Sequence, residues 1–202
     1  MKGSAYTIGF AAVLGTTCAL LLTAAADFTK PYKEDNQKAE EARNILKALN
    51  VPGAMEGTSK EVVALREEKV EDTKLGDIEA YQYSPGGANA KPEAVAIRFA
   101  GPGLWAPIKG FLAMDPELTM IKGLSFYEQE ETPGLGGEIV KDWFLARFTD
   151  LSIRDADGKP GIIIGSGEDA LNRVDGISGA TMTCDKVQAM LNEAINSIVE
   201  EK

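Results

Sequence analysis

The sequence predicts an α+β domain, with a mainly antiparallel sheet and flanking helices, preceded by one N-terminal transmembrane helix. Residues 3–26 contain no charged side chain, and a helix needs roughly 20 apolar residues to cross the hydrocarbon core of a bilayer. In the rest of the chain, segments with strand and helix periodicity do not alternate regularly, which disfavours a doubly wound sheet. The 202 residues suffice for one sizeable domain and a short accessory segment.

The N-terminal segment predicts three regions: a cytoplasmic N-terminus at 1–4, a transmembrane helix at 5–26 and an extracytoplasmic domain at 27–202. Lys2 is the only positive charge before the apolar run, which favours a cytoplasmic N-terminus. The three alanines at 24–26 also fit the cleavage site of a signal peptide. A retained anchor is favoured, because the apolar run is longer than the usual core of a signal peptide and continues into an amphipathic helix.

The first half of the domain begins with a predicted helix at 33–50, whose apolar residues share one face. They are Ala39, Ala42, Ile45, Leu46 and Leu49. The charged stretch 61–72 fits either a helix or an edge strand, and 78–83 predicts a strand. Residues 93–99 alternate, with Val95, Ile97 and Phe99 on one side, and this pattern predicts a half-buried strand.

The second half continues with a predicted strand at 108–113. Residues 120–127 carry few charges on either face, which predicts a central strand. A short helix is predicted at 142–148 and a short buried strand at 161–165. An apolar stripe at helical spacing then predicts a final helix. Its members are Val187, Leu191, Ala194, Ile195 and Ile198.

Composition excludes several classes of function. The formal net charge is −10, whereas a nucleic-acid partner would require a basic face. The chain has no histidine, which excludes a Ser-His-Asp hydrolase, a haem held by histidine and a zinc site built on histidine. Cys18 and Cys184 are the only cysteines, too few for an iron–sulfur cluster or a Cys-based zinc site. Any redox chemistry therefore requires an organic cofactor.

Residues 175–181, Asp-Gly-Ile-Ser-Gly-Ala-Thr, form a loop that precedes the final predicted helix. The two glycines leave space beside the hydroxyl of Thr181. Such a segment suits a phosphate held at a helix N-terminus, or a hydroxyl that itself carries a phosphoryl group. The structural alternative is a glycine-rich loop before a helix that Thr181 or Thr183 caps, with Asp185 in the first turn.

Two further segments that contain glycine lie at the ends of predicted strands. Residues 130–137, Glu-Glu-Thr-Pro-Gly-Leu-Gly-Gly, follow the predicted central strand. Their glycines, Gly134 and Gly136 among them, let a backbone approach a flat or phosphorylated ligand, although a loop at a strand end explains them equally well. In Gly103-Leu-Trp105 the indole could line a flat ring, whereas a tryptophan more often belongs to the core.

The three segments together resemble a known family. The motifs at 103–113, 126–138 and 174–183, with the apolar span that runs into a helix around 42–46, resemble the C subunit of the sodium-translocating NADH:quinone reductase. The resemblance covers nearly the whole chain. It lies within a covalent-flavin domain that this family shares with the G subunit of the related ferredoxin-oxidising complex.

This resemblance implies a set of cofactor-binding residues, with FMN attached to Thr181 through a phosphoester. The residues that it implies along the flavin are Trp105, Glu131, Thr132 and Leu135, together with Gly134 and Gly136 of the same loop and Ala180 beside the attachment residue. Asp175, Ser178 and Gly179 belong to the signature read by the flavin transferase that transfers FMN from FAD. The resemblance implies no catalytic acid or base and no metal ligand.

The implied function is that of an electron-transfer phosphoprotein with covalent FMN, in a membrane NADH:quinone reductase that couples electron transfer to sodium export. The chain would be single-pass in the inner membrane, with its bulk in the periplasm and other membrane subunits as partners. It would have no NADH site of its own, since no dinucleotide fingerprint follows a strand. Three alternatives stay open: a G-type subunit of the ferredoxin:NAD complex, a secreted FMN carrier cleaved after Ala26, and a flavin-free binding module.

Overall fold

A computed structural model describes residues 2–87 and 90–200, which fall into two compact units divided after Lys38. The predicted cytoplasmic segment 1–4 includes Met1, which lies outside the described residues. The predicted domain 27–202 likewise includes four positions outside them: 88, 89, 201 and 202.

The first unit is helical. Helix α1 spans Lys2–Ala48, and its first part contains an apolar stretch that is long enough to cross a membrane. No residue of that stretch is buried, so its apolar side chains are not part of a protein core. The predicted apolar N-terminal helix is confirmed, while the boundaries at 5–26 and the topology across a membrane stay predictions.

The second unit begins with the last part of α1, and the predicted apolar face is buried there. Its residues are Ala39, Ala42, Ile45, Leu46 and Leu49. The helix ends at Ala48, and Asn50 adopts a left-handed conformation with φ +53°. The Asn50 side-chain amide donates a hydrogen bond to the carbonyl of Lys122. This bond fastens the end of the helix to the sheet.

The remaining elements give an α+β fold, as predicted. The helices are α2 Ser59–Lys69, α3 Asp142–Leu145 and α4 Thr181–Glu200, with 3₁₀ turns at Gly136–Val140 and Ala146–Phe148. The strands of the main sheet are β1 Val70–Leu75, β2 Ile78–Tyr83, β3 Ala94–Pro102, β4 Pro107–Met114, β5 Met120–Glu128 and β6 Leu151–Ser152. They lie in chain order and are antiparallel throughout. A separate parallel pair joins β7 Ile163–Ile164 to β8 Arg173–Val174.

Both faces of the main sheet are covered. Val95, Ile97 and Phe99 pack in one cluster with apolar residues of α4, while Ala94 and Ala96 pack in another with the last part of α1. The prediction that this strand is half-buried is therefore wrong, since the alanines on its second face lie under a helix. All five apolar residues predicted for the final helix are buried in the first cluster.

Two other elements differ from the expectation. The charged stretch 61–72 contains most of α2 and the start of the edge strand β1, so both interpretations hold in part. Strand β5 is not central along most of its length, because only Met120 and Ile121 pair with β6. It carries few charges because helices cover both of its faces, rather than because strands flank it on both sides.

Gly123 of β5 provides a test of how the end of α1 packs on the sheet. A Cβ atom at this position would lie 2.3 Å from the carbonyl oxygen of Ala48. We expect Gly123→Ala to lower the free energy of unfolding by about 1–3 kcal/mol, because a rigid backbone must move. A matched control is Gly176→Ala, whose Cβ would have no neighbouring atom nearer than 3.5 Å. Chemical denaturation of both variants checks this, and equal losses would contradict it.

Candidate cofactor site

The side chain of Glu131 joins two of the glycine-rich segments to the first turn of α4, which directly follows the third segment. This residue is 4 % exposed. Its Oε1 accepts a hydrogen bond from the backbone N–H of Leu104 at 2.7 Å, and its Oε2 accepts one from the hydroxyl of Thr183 at 2.7 Å. One buried carboxyl group thus joins the Gly-Leu-Trp turn to the first turn of α4. The structure places Glu131 beneath the surface that these segments form.

Two glycines allow the close approach to this carboxyl group. A Cβ atom at Gly103 would lie 2.6 Å from Oε1 of Glu131, and one at Gly136 would lie 2.7 Å from Oε2 and 2.5 Å from the hydroxyl oxygen of Thr183. These distances leave no room for a side chain. The sequence predicts that the backbone at Gly136 lies close to a ligand; in the structure it lies close to the side chains of Glu131 and Thr183.

The rest of the glycine-rich loop is exposed and tightly turned. The carbonyl of Thr132 accepts hydrogen bonds from the N–H groups of Leu135 at 3.1 Å and Gly137 at 2.9 Å. Gly134 lies in this turn with φ +76°, a conformation that favours glycine. The side chains of Thr132 and Leu135 are both exposed. This loop therefore presents Leu135 outward, beside the segment that leads to α4.

That segment presents its polar residues to solvent. Asp175, Ser178 and Gly179 are exposed, while Ala180 is buried. Gly179 has φ +77°, and its Cβ would lie 3.0 Å from a methyl group of Leu135. The two loops therefore touch next to the start of α4.

The two threonines at the start of α4 have different environments. Thr181 is the first residue of the helix and is exposed, whereas Thr183 is 1 % exposed and donates its hydroxyl to Glu131. Neither caps the helix, because Ala180 occupies the position before it. The capping role expected of Thr183 is therefore wrong, since Glu131 takes its hydroxyl. Asp185 is the fifth residue of α4 and lies beyond the first turn.

Four apolar side chains stand exposed on these segments. The exposed fractions are 39 % for Leu104, 74 % for Trp105, 43 % for Leu135 and 64 % for Met182. Trp105 is thus not a core residue. Sequence reasoning missed Met182, although its position is out of phase with the buried stripe of α4. Exposed apolar residues on neighbouring segments indicate a ligand or an interface.

The residues present fit a phosphorylated flat cofactor. The first backbone hydrogen bond of α4 joins the Cys184 N–H to the Ala180 carbonyl at 3.0 Å, so the amides of residues 181–183 precede it and are free to face an anion. Exposed aliphatic and aromatic side chains suit a ring system. Among the described residues, no cluster of acidic or cysteine side chains could hold a metal ion.

Cys184 supports the loop from below. Its Sγ accepts a hydrogen bond from the N–H of Ile177 at 3.3 Å, and the side chain is 2 % exposed. Burial raises the pKa of this thiol, which keeps it protonated and unreactive. Cys184 therefore acts as a small packing residue at this site.

Comparison with known families supports the resemblance seen in the sequence. The FMN-binding domain family matches residues 103–196, a range that contains all three glycine-rich segments. The chain is 27 % identical to the C subunit of the Na(+)-translocating NADH-quinone reductase of Haemophilus ducreyi, over 88 % of this chain and 84 % of that protein. It is 37 % identical to the C subunit from Neisseria meningitidis over a shorter region, 52 % of this chain and 42 % of that protein.

Solved structures share the fold. The crystal structure of the C subunit from Parabacteroides distasonis aligns with a TM-score of 0.69 at 23 % identity, covering 85 % of this chain and 96 % of that one. NqrC of Shewanella oneidensis aligns with a TM-score of 0.62 at 21 % identity, over 82 % of this chain and 99 % of that one. Over most of its length the chain is thus similar to the C subunit of the Na(+)-translocating NADH-quinone reductase, and its residues 103–196 match the FMN-binding domain.

Proposed function

We propose that this chain is an electron-transfer subunit that carries FMN bound covalently, through a phosphoester, to Thr181. The observation that carries the proposal is the contrast at the start of α4, where Thr181 is exposed while the hydroxyl of Thr183 is buried and bonded to Glu131. A modifying enzyme can reach the first hydroxyl and not the second. The match of residues 103–196 to an FMN-binding domain supports FMN as the group attached.

The attachment step belongs to a flavin transferase that uses FAD. The hydroxyl oxygen of Thr181 forms a bond to the phosphorus on the FMN side of the FAD pyrophosphate. The bond from that phosphorus to the bridging oxygen breaks, AMP leaves, and the hydroxyl proton is lost. Gly179 and Ala180 favour this reaction, because neither has a side chain large enough to block the hydroxyl. Asp175 and Ser178 are exposed on the same loop and are available for the transferase to recognise.

Once attached, the cofactor supplies one- and two-electron chemistry, and the protein supplies position and environment. The amides of residues 181–183 would hold the phosphate. The apolar side chains of Leu104, Trp105, Leu135 and Met182 would contact the ring, with Thr132 and Gly134 of the exposed loop at its border. The site needs no acid–base residue of its own, which agrees with a chain that has no histidine.

The same proposal places the subunit in a membrane complex. The similarity to the C subunit of H. ducreyi over 88 % of this chain supports a sodium-translocating NADH-quinone reductase as its host. Helix α1 then anchors the subunit in the inner membrane, with the second unit in the periplasm and the other membrane subunits as partners. A covalent tether suits that side of the membrane, where a flavin lost by dissociation could not be recovered.

The test is to express the full chain with and without a flavin transferase. We expect a denatured gel band that fluoresces only when the transferase is present, and a yellow protein in the membrane fraction. A colourless chain would contradict FMN attachment, and a yellow chain in the soluble fraction would indicate the secreted carrier. Subunits that co-purify from native membranes distinguish the quinone reductase from the ferredoxin-linked complex.

A further inference from the structure

The backbone that leads to Thr181 has few bonds of its own. Within the loop, the Ala180 N–H donates to the Ile177 carbonyl at 3.0 Å. The Ile177 N–H reaches only the sulfur of Cys184, at 3.3 Å, and sulfur is a weak acceptor. Ile177 and Ala180 are buried in the core, but the exposed part of the loop has few bonds that restrain it, and such a segment opens easily unless another element holds it.

Arg147, which lies outside the loop, donates hydrogen bonds to it. Its Nη1 donates to the carbonyl oxygen of Asp175 at 2.7 Å and to that of Gly176 at 3.2 Å. One guanidinium nitrogen thus fixes two consecutive carbonyls at the entry of the loop. Hydrogen bonds from an ionised donor are roughly twice as strong as neutral ones, so this contact adds substantially to the few bonds inside the loop.

Trp143 holds the guanidinium group of Arg147 in place. The Cζ atom of Arg147 lies 4.8 Å from the centroid of the Trp143 ring, a stacking geometry that suits a planar guanidinium. The neighbours Phe144 and Phe148 are fully buried, so this helical turn is anchored in the core. The position of the guanidinium is therefore set before any ligand arrives.

The charge of Arg147 is not neutralised by a neighbour. In the described parts of the chain, the salt bridges involve other cations and leave Arg147 without a carboxylate partner. Its charge reaches the first turn of α4, where it opposes the rise that burial produces in the pKa of Cys184. A positive group beside the loop favours the approach of an anionic substrate to a protein whose net charge is −10.

We propose that Arg147 is the positioning residue for flavin attachment, holding the loop from Asp175 so that it presents the Thr181 hydroxyl to the FMN donor. This inference rests on the proposed function and adds a residue outside the segment 175–181. Arg147 touches neither the oxygen that attacks nor the bond that breaks. It acts through the carbonyls of Asp175 and Gly176, with Trp143 as its support.

The experiment follows attachment over time by intact mass, using the full chain, FAD and the transferase. We expect Arg147→Gln to slow attachment about tenfold at saturating FAD, while the KM for FAD stays unchanged. A tenfold loss in rate corresponds to the loss of one charge-assisted hydrogen bond. Arg147→Lys should recover part of the rate. The matched control is Arg154→Gln, which removes a guanidinium bonded to the Gly158 carbonyl at 2.9 Å in another turn, and it should react like the wild type.

A second measurement uses the flavin-free chain. Hydrogen exchange at the amides of residues 177–180 should become about tenfold faster in Arg147→Gln, while exchange in β3 and β4 stays unchanged. If Arg147→Gln takes up flavin as fast as the wild type, the role of Arg147 is overturned and the proposed function stands. If the rate falls only because the KM for FAD rises, Arg147 attracts the anionic FAD and does not position the loop, which would overturn the proposal. A wild-type chain that takes no flavin would overturn the proposed function, and this inference with it.

Discussion

Replacing Thr181 with alanine is expected to abolish covalent flavin while leaving the domain as stable as the wild type. Thr181 is exposed at the first position of α4, and substitutions at such positions usually change the free energy of unfolding by less than about 0.5 kcal/mol. The measurement combines in-gel fluorescence after co-expression with the transferase and thermal unfolding of the same preparation. Fluorescence in the Thr181→Ala band would move the attachment to another residue.

Thr183→Ala is the matched control, and the opposite result is expected. The variant loses a buried hydroxyl that is bonded to Glu131 at 2.7 Å, and a hydrogen bond to a charged group contributes about 1.5–3 kcal/mol. The chain should keep its flavin and unfold at a lower temperature. Loss of flavin in a stable Thr183→Ala chain would contradict the assignment, because it would make Thr183 the attachment residue.

Glu131→Ala should be the most destabilising change at the site. It leaves the Leu104 amide and the Thr183 hydroxyl without their acceptor, and each unsatisfied buried group costs about 1–3 kcal/mol. For a domain of this size a total of about 2–6 kcal/mol corresponds to a fall in Tm of roughly 4–24 °C. Thermal unfolding followed by circular dichroism checks the prediction.

Glu131→Gln separates the geometry of this junction from its charge. The amide oxygen of glutamine can accept from Leu104, and its NH₂ group can donate to Thr183, whose hydroxyl is also an acceptor. We therefore expect a fall in Tm less than half that of Glu131→Ala. Adding Thr183→Val to Glu131→Gln should remove this rescue, because valine offers the amide no acceptor. Equal stabilities for the alanine and glutamine variants would show that the bonds of Glu131 to Leu104 and Thr183 do not stabilise this junction.

Much of the fold can be predicted from the sequence, because periodicity reports which face of an element is buried. The stripe of α4 and the face of α1 at residues 39–49 are predictable in this way, and both are buried. Periodicity does not report what lies on the other side of a strand. It therefore misses the helix that covers Ala94 and Ala96, and it takes the small number of charges in β5 as a sign of a central position.

The candidate site can be predicted only in its separate segments. Local chemistry singles out the turn at 103–105, the loop at 130–137 and the loop at 175–181, each of which also has a purely structural explanation. Their meeting at Glu131 depends on bonds to Leu104 and Thr183, which lie 27 and 52 residues away. No local pattern encodes such pairs, so the burial of Thr183 cannot be foreseen, and local chemistry assigns its hydroxyl to the helix cap instead.

The most direct test is to find which residue carries the flavin in the chain purified from its native membrane. Tandem mass spectrometry of the peptide that contains residues 175–186 should show one FMN, joined with loss of water, on Thr181. The same peptide should show Ser178 and Thr183 unmodified. An adduct on Thr183 or Ser178, or a fully unmodified peptide, would contradict the central claim that the exposed first residue of α4 is the flavin anchor.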